Sequence, residues 1–362
     1  MPTQQQKQRR YFIKTYGCQM NVADSAKLAA VLDANGFLPT PNSKLADLIL
    51  VNTCVVRQNA EDRAAWYITS MKNLKLQNPN LKIGVCGCLA SEPGRDLKEQ
   101  FPHVDFFIPP NSPEKLAGIL KGVGGSKIGG RGEEKKQTSA FVTIMTGCDN
   151  FCSYCIVPYV RGRETSRPMD EVLAEIKGLR DQGVKEITLL GQNVNSYKYG
   201  LAALLREINK TIHDSRFTIH FLTSHPRDMS DDIITAVAEL PYVAKEFHLP
   251  IQAGDDEILK KMNRGYTVEY FTRLVKKIRQ AMPEANISSD IMVGFPGETE
   301  AQFENSLQLL REIKFSMVNM FAYSARPATA AAKLPDQLPE AVKQARLQKL
   351  ISVNRESIGE KL

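Results

Sequence analysis

Short apolar runs alternate with stretches in which apolar residues recur every three or four positions, and the alternation covers most of the chain. Before residue 120, YFIKT, ADLILVN and LKIGV read as buried strands. Between them the pattern predicts a helix from about Ser25, with Asp24 as N-cap and Gly36 past its end, and another around Ala60 to Leu74. From Gly122 to Lys136 the pattern lapses into GVGGSKIGGRGEEKK, which reads as an exposed linker. Strand candidates then resume near Phe141 to Met145, Glu186 to Leu190, Phe217 to Phe221, Glu246 to Pro250, Ile287 to Met292 and Met317 to Ala322. The intervening helical patterns include Met169 to Gln182, Val268 to Ala281 and Glu300 to Ile313, the last with Phe303, Leu307 and Leu310 on one face.

This order predicts an α/β protein in two parts. Residues 1–125 form a Rossmann-like parallel-sheet domain, 126–139 the linker, and 140–362 a partial (βα)6 barrel. Six βα units are too few for the closed eight-fold barrel, so an open one is expected. The final run, LPEAVKQARLQKLISVNRESIGEKL, reads as a helix with basic and apolar faces.

Composition changes this little. With 362 residues, 43% of them hydrophobic and 24% charged, the chain suits two globular cores and not wholesale disorder. MPTQQQKQRR lacks the apolar segment of a secretory signal and no apolar run is long enough to span a bilayer, so a cytoplasmic protein is expected, without membrane association. The net charge of +7 is compatible with a polyanionic partner but does not establish one.

The seven cysteines change more. In a reducing compartment, clustered thiols point to metal or redox chemistry. Cys148, Cys152 and Cys155 lie within eight residues, one ligand short of a closed structural zinc site. A 4Fe-4S cubane held by three thiolates instead keeps one iron open to a small molecule. Cys18 follows the first predicted strand and Cys54 the second, while Cys86 and Cys88 close the third. Loops at the carboxyl edge of a parallel sheet converge on its ligand crevice, so three of these four cysteines are placed to hold a second cluster. Cys86 and Cys88 are interchangeable at this level, and three unrelated buried thiols remain the plainer alternative.

Read with their neighbours, both sets carry a resemblance. YGCQMN, VNTCVVR, CGCLA, GCDNFCSYCIVPYVRGRE, TSHPRDM, HLPIQAGDDEILKKMNRGYT and DIMVGFPGETE, in that order from about Tyr11 to Arg355, resemble the methylthiotransferase family of radical S-adenosylmethionine (SAM) enzymes. The resemblance implies two 4Fe-4S clusters, an auxiliary one on Cys18, Cys54 and Cys88 and a catalytic, SAM-binding one on Cys148, Cys152 and Cys155. The GlyCysLeuAla context selects Cys88 over Cys86. Tyr154 would pack near the adenine of SAM, with plain loop packing as the equal alternative. Gln192, Asn193, Gln252 and Asp290 are read as following predicted strands, with their polar ends toward the barrel mouth, and are SAM-contact candidates, as is Arg264 in MNRGYT.

By the same resemblance, one cluster cleaves SAM reductively to a radical, the other provides sulfur, and a second SAM methylates that sulfur. A radical suits the target, because an adenine C2–H bond is not acidic enough for acid-base chemistry. YGCQMN favours C2 of isopentenyladenosine beside the tRNA anticodon as substrate, where a loop base is readily presented singly. An electron donor such as flavodoxin or ferredoxin and a monomeric protein are expected. Arg161, Arg163 and Arg167 suit phosphate or carboxylate recognition, against the commoner reading as a solvated loop. Trp66 and Tyr67 read as core more readily than as RNA-stacking rings. His103, His213, His220, His225 and His248 show no metal spacing.

Three departures from the family pattern stand out. The family's small RNA-gripping β domain, TRAM, is not found before the sequence ends at Leu362; the step from SYKYG to LAALLRE is short; and Ala328 in SARPAT stands where the family tends to have glycine. Competing readings are methylthiolation of threonylcarbamoyladenosine or of a ribosomal-protein aspartate, a non-catalytic iron-sulfur protein, and a zinc-stabilised RNA-binding module.

Overall fold

The computed structural model describes residues 8–121, 138–211 and 217–359. The predicted linker from Gly122 to Lys136 and His213 lie outside them. The chain divides into two units: residues 1–137 with 156–162, and residues 138–155 with 163–362. A single boundary near residue 140 misses this exchange, in which seven residues directly after Cys155 belong to the first unit.

The first unit is built on a five-stranded sheet, β2-β1-β3-β4-β5, with every pair parallel. Its strands are β1 (Arg10–Thr15), β2 (Leu38–Pro39), β3 (Leu48–Thr53), β4 (Lys82–Gly87) and β5 (Phe106–Ile108). All six residues of β3 are buried, as a central parallel strand covered on both faces requires. Because β1 lies between β2 and β3, the winding direction reverses there, and the crevice between the carboxyl ends of β1 and β3 is the switch point at which such sheets bind ligands.

The first helix, Gln19–Ala34, starts well before Ser25, with Cys18 as its N-cap. Asp24 is therefore not a cap but an interior helical residue, buried to 6% exposure. The second helix extends over Gln58–Gln77. The segment Val157–Arg161 is also helical, and Ile156 and Val160 pack with Val55, Val85 and Leu89 in the first unit's core.

The second unit carries six parallel strands in two hydrogen-bonded groups, β10-β9-β6 and β11-β12-β13, linked by a parallel bridge from Ile219 to Val243. These are β6 (Ser139–Thr143), β9 (Glu186–Leu190), β10 (Thr218–Phe221), β11 (Glu246–His248), β12 (Asn286–Val293) and β13 (Met317–Ala322). Between β6 and β9 a short antiparallel ribbon, β7 (Met145–Thr146) with β8 (Thr165–Ser166), brackets the cysteine loop. Helices Met169–Asp181, Leu201–Thr211, Asp231–Glu239, Val268–Ala281 and Glu300–Ile313 follow in turn, giving the open partial barrel. Along β12 exposure alternates strictly, with Ile287, Ser289, Ile291 and Val293 buried and Ser288, Asp290 and Met292 half-exposed. Helix Glu340–Gly359 packs on β13 and on Glu300–Ile313, and Arg346 at 7% exposure donates to Glu298 at 2.8 Å.

Ala328 adopts φ 66°, in the left-handed region that disfavours any side chain with a Cβ. Thr329 closes this turn through its hydroxyl to the Arg326 carbonyl at 2.7 Å. Ala328→Gly is expected to raise stability by about 1 kcal/mol, the left-handed cost less the entropy glycine adds to the unfolded chain. A higher urea midpoint checks this, and an unchanged or lower one contradicts it.

Candidate functional site

Cys18, Cys54 and Cys88 stand at the carboxyl ends of β1, β3 and β4, around the switch point. Cys54 and Cys88 are buried at 3% and 1% exposure, while Cys18 is exposed at the rim. Gly17, at φ 138°, lets the first two loops touch: a Cβ there would lie 2.6 Å from the Cys54 Cβ and closer still to the Asn21 side chain.

Buried amides fasten the three loops together. The Asn21 side-chain amide donates to the Thr53 carbonyl at 2.9 Å and to Asn52 Oδ1 at 3.1 Å, while its own Oδ1 accepts from the Cys18 amide at 3.3 Å. Asn52 donates back to the Asn21 carbonyl at 2.8 Å and to Ser25 Oγ at 2.9 Å. Thr53 donates to the Cys86 carbonyl at 2.6 Å and accepts from the Leu89 amide at 3.3 Å. Each of Asn21, Asn52 and Thr53 is fully buried, and each has its polar atoms matched, as a buried network must.

Cys86 and Cys88 are not interchangeable in the fold. Cys86 is a residue of β4, its thiol buried among Tyr11, Leu28 and Leu32 and directed at the Val51 carbonyl at 3.6 Å. Burial pushes that thiol well up from its ordinary value. Gly87, at φ 90°, then turns the chain so that Cys88 joins the opposite core, facing Arg161 and Cys18.

Arg161 arrives from the seven-residue segment that joins the first unit. Its side chain is 3% exposed and pairs with Asp24 at 2.9 Å. It also donates to Asn111 Oδ1 at 3.4 Å, and its charge works against the burial that pushes the Cys88 thiol up. Burial alone would favour loss of its proton, but Cys88, Asp24 and Cys18 more than offset that and hold it cationic. The Cys18 thiol is pushed down to about 6 by a hydrogen bond from Cys54, with the helix-start amides of Asn21 and Met20 and the Arg161 charge acting in the same direction against burial. Cys54, the donor of that bond, is pushed up correspondingly.

The second set sits in the loop after β6 and β7. Gly147 donates its amide to Gln192 Oε1 at 2.6 Å, and Phe151 takes φ 45°. The loop is clamped by the segment Lys261–Arg264. Ser153 donates through its amide to the Met262 carbonyl at 3.0 Å and through its hydroxyl to the Lys261 carbonyl at 2.8 Å. Asn263 donates to the carbonyls of Asn150 and Phe151 at 3.2 and 3.1 Å. Cys152 is buried, while Cys148 and Cys155 are half-buried; burial pushes the Cys148 thiol up to about 11.

Arg264 lies against this loop at 4% exposure. Its guanidinium donates to Cys152 Sγ at 3.3 Å, to the Tyr154 hydroxyl at 3.4 Å, to the Pro250 carbonyl at 2.7 Å and to the Tyr266 hydroxyl at 2.9 Å. Tyr154 packs its ring against the barrel core and directs its hydroxyl to that guanidinium.

The remaining predicted contacts fall into two groups. Gln192 and Asn193 position loops: Gln192 supports Gly147, and Asn193, 1% exposed, donates to Asp228 at 2.7 Å and accepts from the His225 amide at 3.1 Å. Both ends of the Asn193 amide thus hold the loop after β10. Gln252, at 8% exposure, and the half-exposed Asp290 form the second group. Gln252 takes φ 76°, a strained conformation for a non-glycine residue, just past β11. Asp290 accepts from Asn319 at 2.9 Å and meets His248 Nε2 at 3.4 Å. With Ser288, 3.0 Å from His248 Nδ1, these groups make a polar row on the strand face opposite the apolar core.

His225 is 4% exposed, and its Nε2 is buried with no hydrogen-bond partner in the protein. Its pKa is pushed down to about 2 by burial and by the neighbouring Arg264 and Arg227, so the ring is neutral. Of the three arginines expected to recognise anions, Arg161 is buried in the first unit and Arg167 is tied to the Thr143 carbonyl at 2.7 Å and Glu175 at 2.6 Å. Arg163 is 71% exposed, paired with Asp149 at 3.0 Å and stacked over Phe151. Trp66 is 73% exposed, against the expectation of a core residue, while Tyr67 is half-buried beside Tyr16. Sequence reading missed Asn21, Asn52, Thr53 and Asp24; their signal is polarity inside YGCQMN, VNTC and the strand ends, where burial makes an unpaired polar group costly.

Comparison with known proteins follows this division. A protein-family model described as the Radical SAM superfamily matches residues 142–310, and one described as uncharacterized protein family UPF0004 matches residues 10–109. The chain is 45% identical over 368 residues to the tRNA-2-methylthio-N(6)-dimethylallyladenosine synthase of Carboxydothermus hydrogenoformans, covering 96% of this chain and 83% of that one. To the synthase of the same name from Clostridium novyi it is 46% identical over 375 residues, covering 98% and 82%. Among solved structures, the radical SAM methyltransferase TsrM from Kitasatospora setae, with cobalamin and a 4Fe-4S cluster bound, superposes with a TM-score of 0.67. That match covers 90% of this chain and 77% of that one at 15% identity, a likeness of fold alone.

In the metal-free protein, iodoacetamide labelling of Cys18 is expected to rise through a pH of about 6, since the thiolate forms above that value. Cys54 and Cys88 stay unlabelled until the chain unfolds. Mass-spectrometric mapping of labelled cysteines across pH checks both points; a Cys18 profile centred near 9.0, the ordinary thiol value, contradicts the hydrogen-bonded pair.

Proposed function

The chain belongs to the tRNA-2-methylthio-N(6)-dimethylallyladenosine synthase family of radical SAM enzymes, and from that membership we propose that it installs a methylthio group at C2 of isopentenyladenosine beside a tRNA anticodon. The observation that carries the reading is the pair of three-cysteine sets, each at the carboxyl edge of parallel strands in its own unit. Cys18, Cys54 and Cys88 would hold one 4Fe-4S cluster, and Cys148, Cys152 and Cys155 the other, which binds SAM.

The donor chemistry fits these groups. Each set offers three thiols, one short of the four ligands that close a structural zinc site. A cubane asks for something different, one thiolate on each of three irons. In the first unit the Gly17 approach and the amide network hold the three loops at one crevice. In the second, the unpartnered His225 Nε2 beside Tyr266 marks polar capacity at the barrel mouth that the protein itself does not satisfy. When bound, the clusters and SAM supply the electron, the radical and the methylated sulfur that C–H functionalisation needs.

The chain's own residues bind, orient and shield. Arg264 donates to the Cys152 sulfur and fixes Tyr154, whose ring would pack near the adenine of SAM. Gln192 and Asn193 set the loops around that cofactor, while Gln252 and Asp290 would contact it. The polar row of His248, Ser288, Asp290 and Asn319 suits a nucleobase held for reaction on that face. Arg163 and Trp66 are exposed in the manner of tRNA contacts. A flavodoxin or ferredoxin would deliver electrons to a cytoplasmic monomer. No described helix is long and apolar enough to cross a membrane.

Anaerobic turnover with reductant, SAM and isopentenyladenosine-containing RNA, followed by nucleoside mass analysis, tests the reading. Cys152→Ala is expected to abolish 5′-deoxyadenosine formation, and Cys54→Ala to retain it while blocking methylthio transfer. SAM cleavage in Cys152→Ala equal to the parent's would overturn the assignment, as would methylthiolation of threonylcarbamoyladenosine alone.

A further inference from the structure

The segment that follows the second cysteine set delivers a charge to the first. Arg161 lies six residues past Cys155, yet its guanidinium is buried in the first unit at 3% exposure and paired with Asp24, and its helix packs on the turn that begins at Cys88. Ile156 and Val160, on the same segment, are anchored in that unit's core at 2% and 4% exposure. Asp24 supplies one carboxylate oxygen to the pair, at 2.9 Å, while its Oδ1 is buried without a partner. Asp24 engages the guanidinium through one oxygen, and the neutral Asn111 side chain takes a further donor.

We propose that Arg161 is a positioning residue for the Cys18/Cys54/Cys88 centre: its buried positive charge against Cys88 stabilises the more anionic, reduced state of the cluster those cysteines hold, and so sets that cluster's reduction potential. The inference rests on the cluster assignment above. The step is the addition of one electron from an external low-potential donor, with no bond made or broken in the protein. In a low-dielectric site a cation close to the cluster favours the state with the extra negative charge, so the potential rises. The opposing charge is Asp24, buried at 6% exposure. The thiols of Cys88 and Cys18 also feel the guanidinium's charge.

The test uses the full chain with Cys148, Cys152 and Cys155 replaced by alanine, reconstituted anaerobically, so that the remaining cluster is read alone by mediated redox titration with electron paramagnetic resonance. Arg161→Gln is expected to shift the one-electron equilibrium toward the oxidised state about tenfold, a fall of about 59 mV. Arg161→Lys, which keeps the charge, stays near the parent. Asp24→Asn, which removes the opposing charge, moves the potential upward, a reversal of sign that a purely structural role does not produce. Should Arg161→Gln fail to retain iron and sulfide, retention in Arg161→Lys with the upward shift in Asp24→Asn still supports the proposal. A loaded Arg161→Gln with the parent's potential, or a fall in Asp24→Asn, overturns it. If the triple-alanine parent itself holds no cluster, the cysteine assignment fails and the inference with it.

Discussion

Three thiolates holding a cluster, as proposed for each set, would concentrate negative charge at one point, and each unit brings a buried arginine to its cysteine set. Arg264 donates to the Cys152 sulfur, and Arg161 ends the helix that packs on the turn beginning at Cys88. Neither arginine is anchored by a carboxylate alone. Arg161 is held by Asp24 and Asn111, while Arg264 is held by the Tyr266 hydroxyl and the Pro250 carbonyl. Burying an arginine is unfavourable unless its donors are satisfied, so these contacts fix where the charge stands. The carbonyl and hydroxyl partners of Arg264 satisfy donors without cancelling its charge, which leaves the cation available to the sulfur.

The scaffold below this charge balance is ordinary α/β architecture used at its reactive edge. Parallel strands place their following loops side by side, and the reversal at β1 opens the crevice beside Cys18 and Cys54. What turns proximity into a site is close backbone approach and buried amides. Gly17 and Gly87 admit conformations or contacts that a Cβ forbids, and Asn21, Asn52 and Thr53 fasten loops more than thirty residues apart in sequence. In the barrel the same task falls to the β7–β8 ribbon and the Lys261–Arg264 clamp. The exchange of residues 156–162 into the first unit makes one short segment follow directly from the second cysteine set and contribute the charge of the first.

Strand periodicity located the sheet and barrel well: Glu186–Leu190, Met317–Ala322, Val268–Ala281 and Glu300–Ile313 have the bounds their patterns indicate. Those elements are long and amphipathic or fully buried, so burial dominates their placement. The first helix was misjudged because Asp24 satisfies a capping rule locally while Cys18 occupies the cap in the fold, and periodicity does not register a buried ion pair with a residue 137 positions away. The cysteine spacing made both sets legible, but the distinction between Cys86 and Cys88 needed the pleat of β4 and the turn at Gly87. The run RGRETSRP shows the limit of local reading. Its three arginines look alike in sequence, yet one is buried beside a sulfur, one is tied to a strand carbonyl and one is exposed, because each belongs to a different packing environment.

The most direct test is anomalous scattering at the iron absorption edge from anaerobically reconstituted crystals of the full chain. Two separate iron-sulfur cubanes are expected, one bonded to Cys18, Cys54 and Cys88 and the other to Cys148, Cys152 and Cys155, with Cys86 bonded to neither. A single cubane, a zinc signal in place of iron, or a cluster ligated by Cys86 would contradict this arrangement.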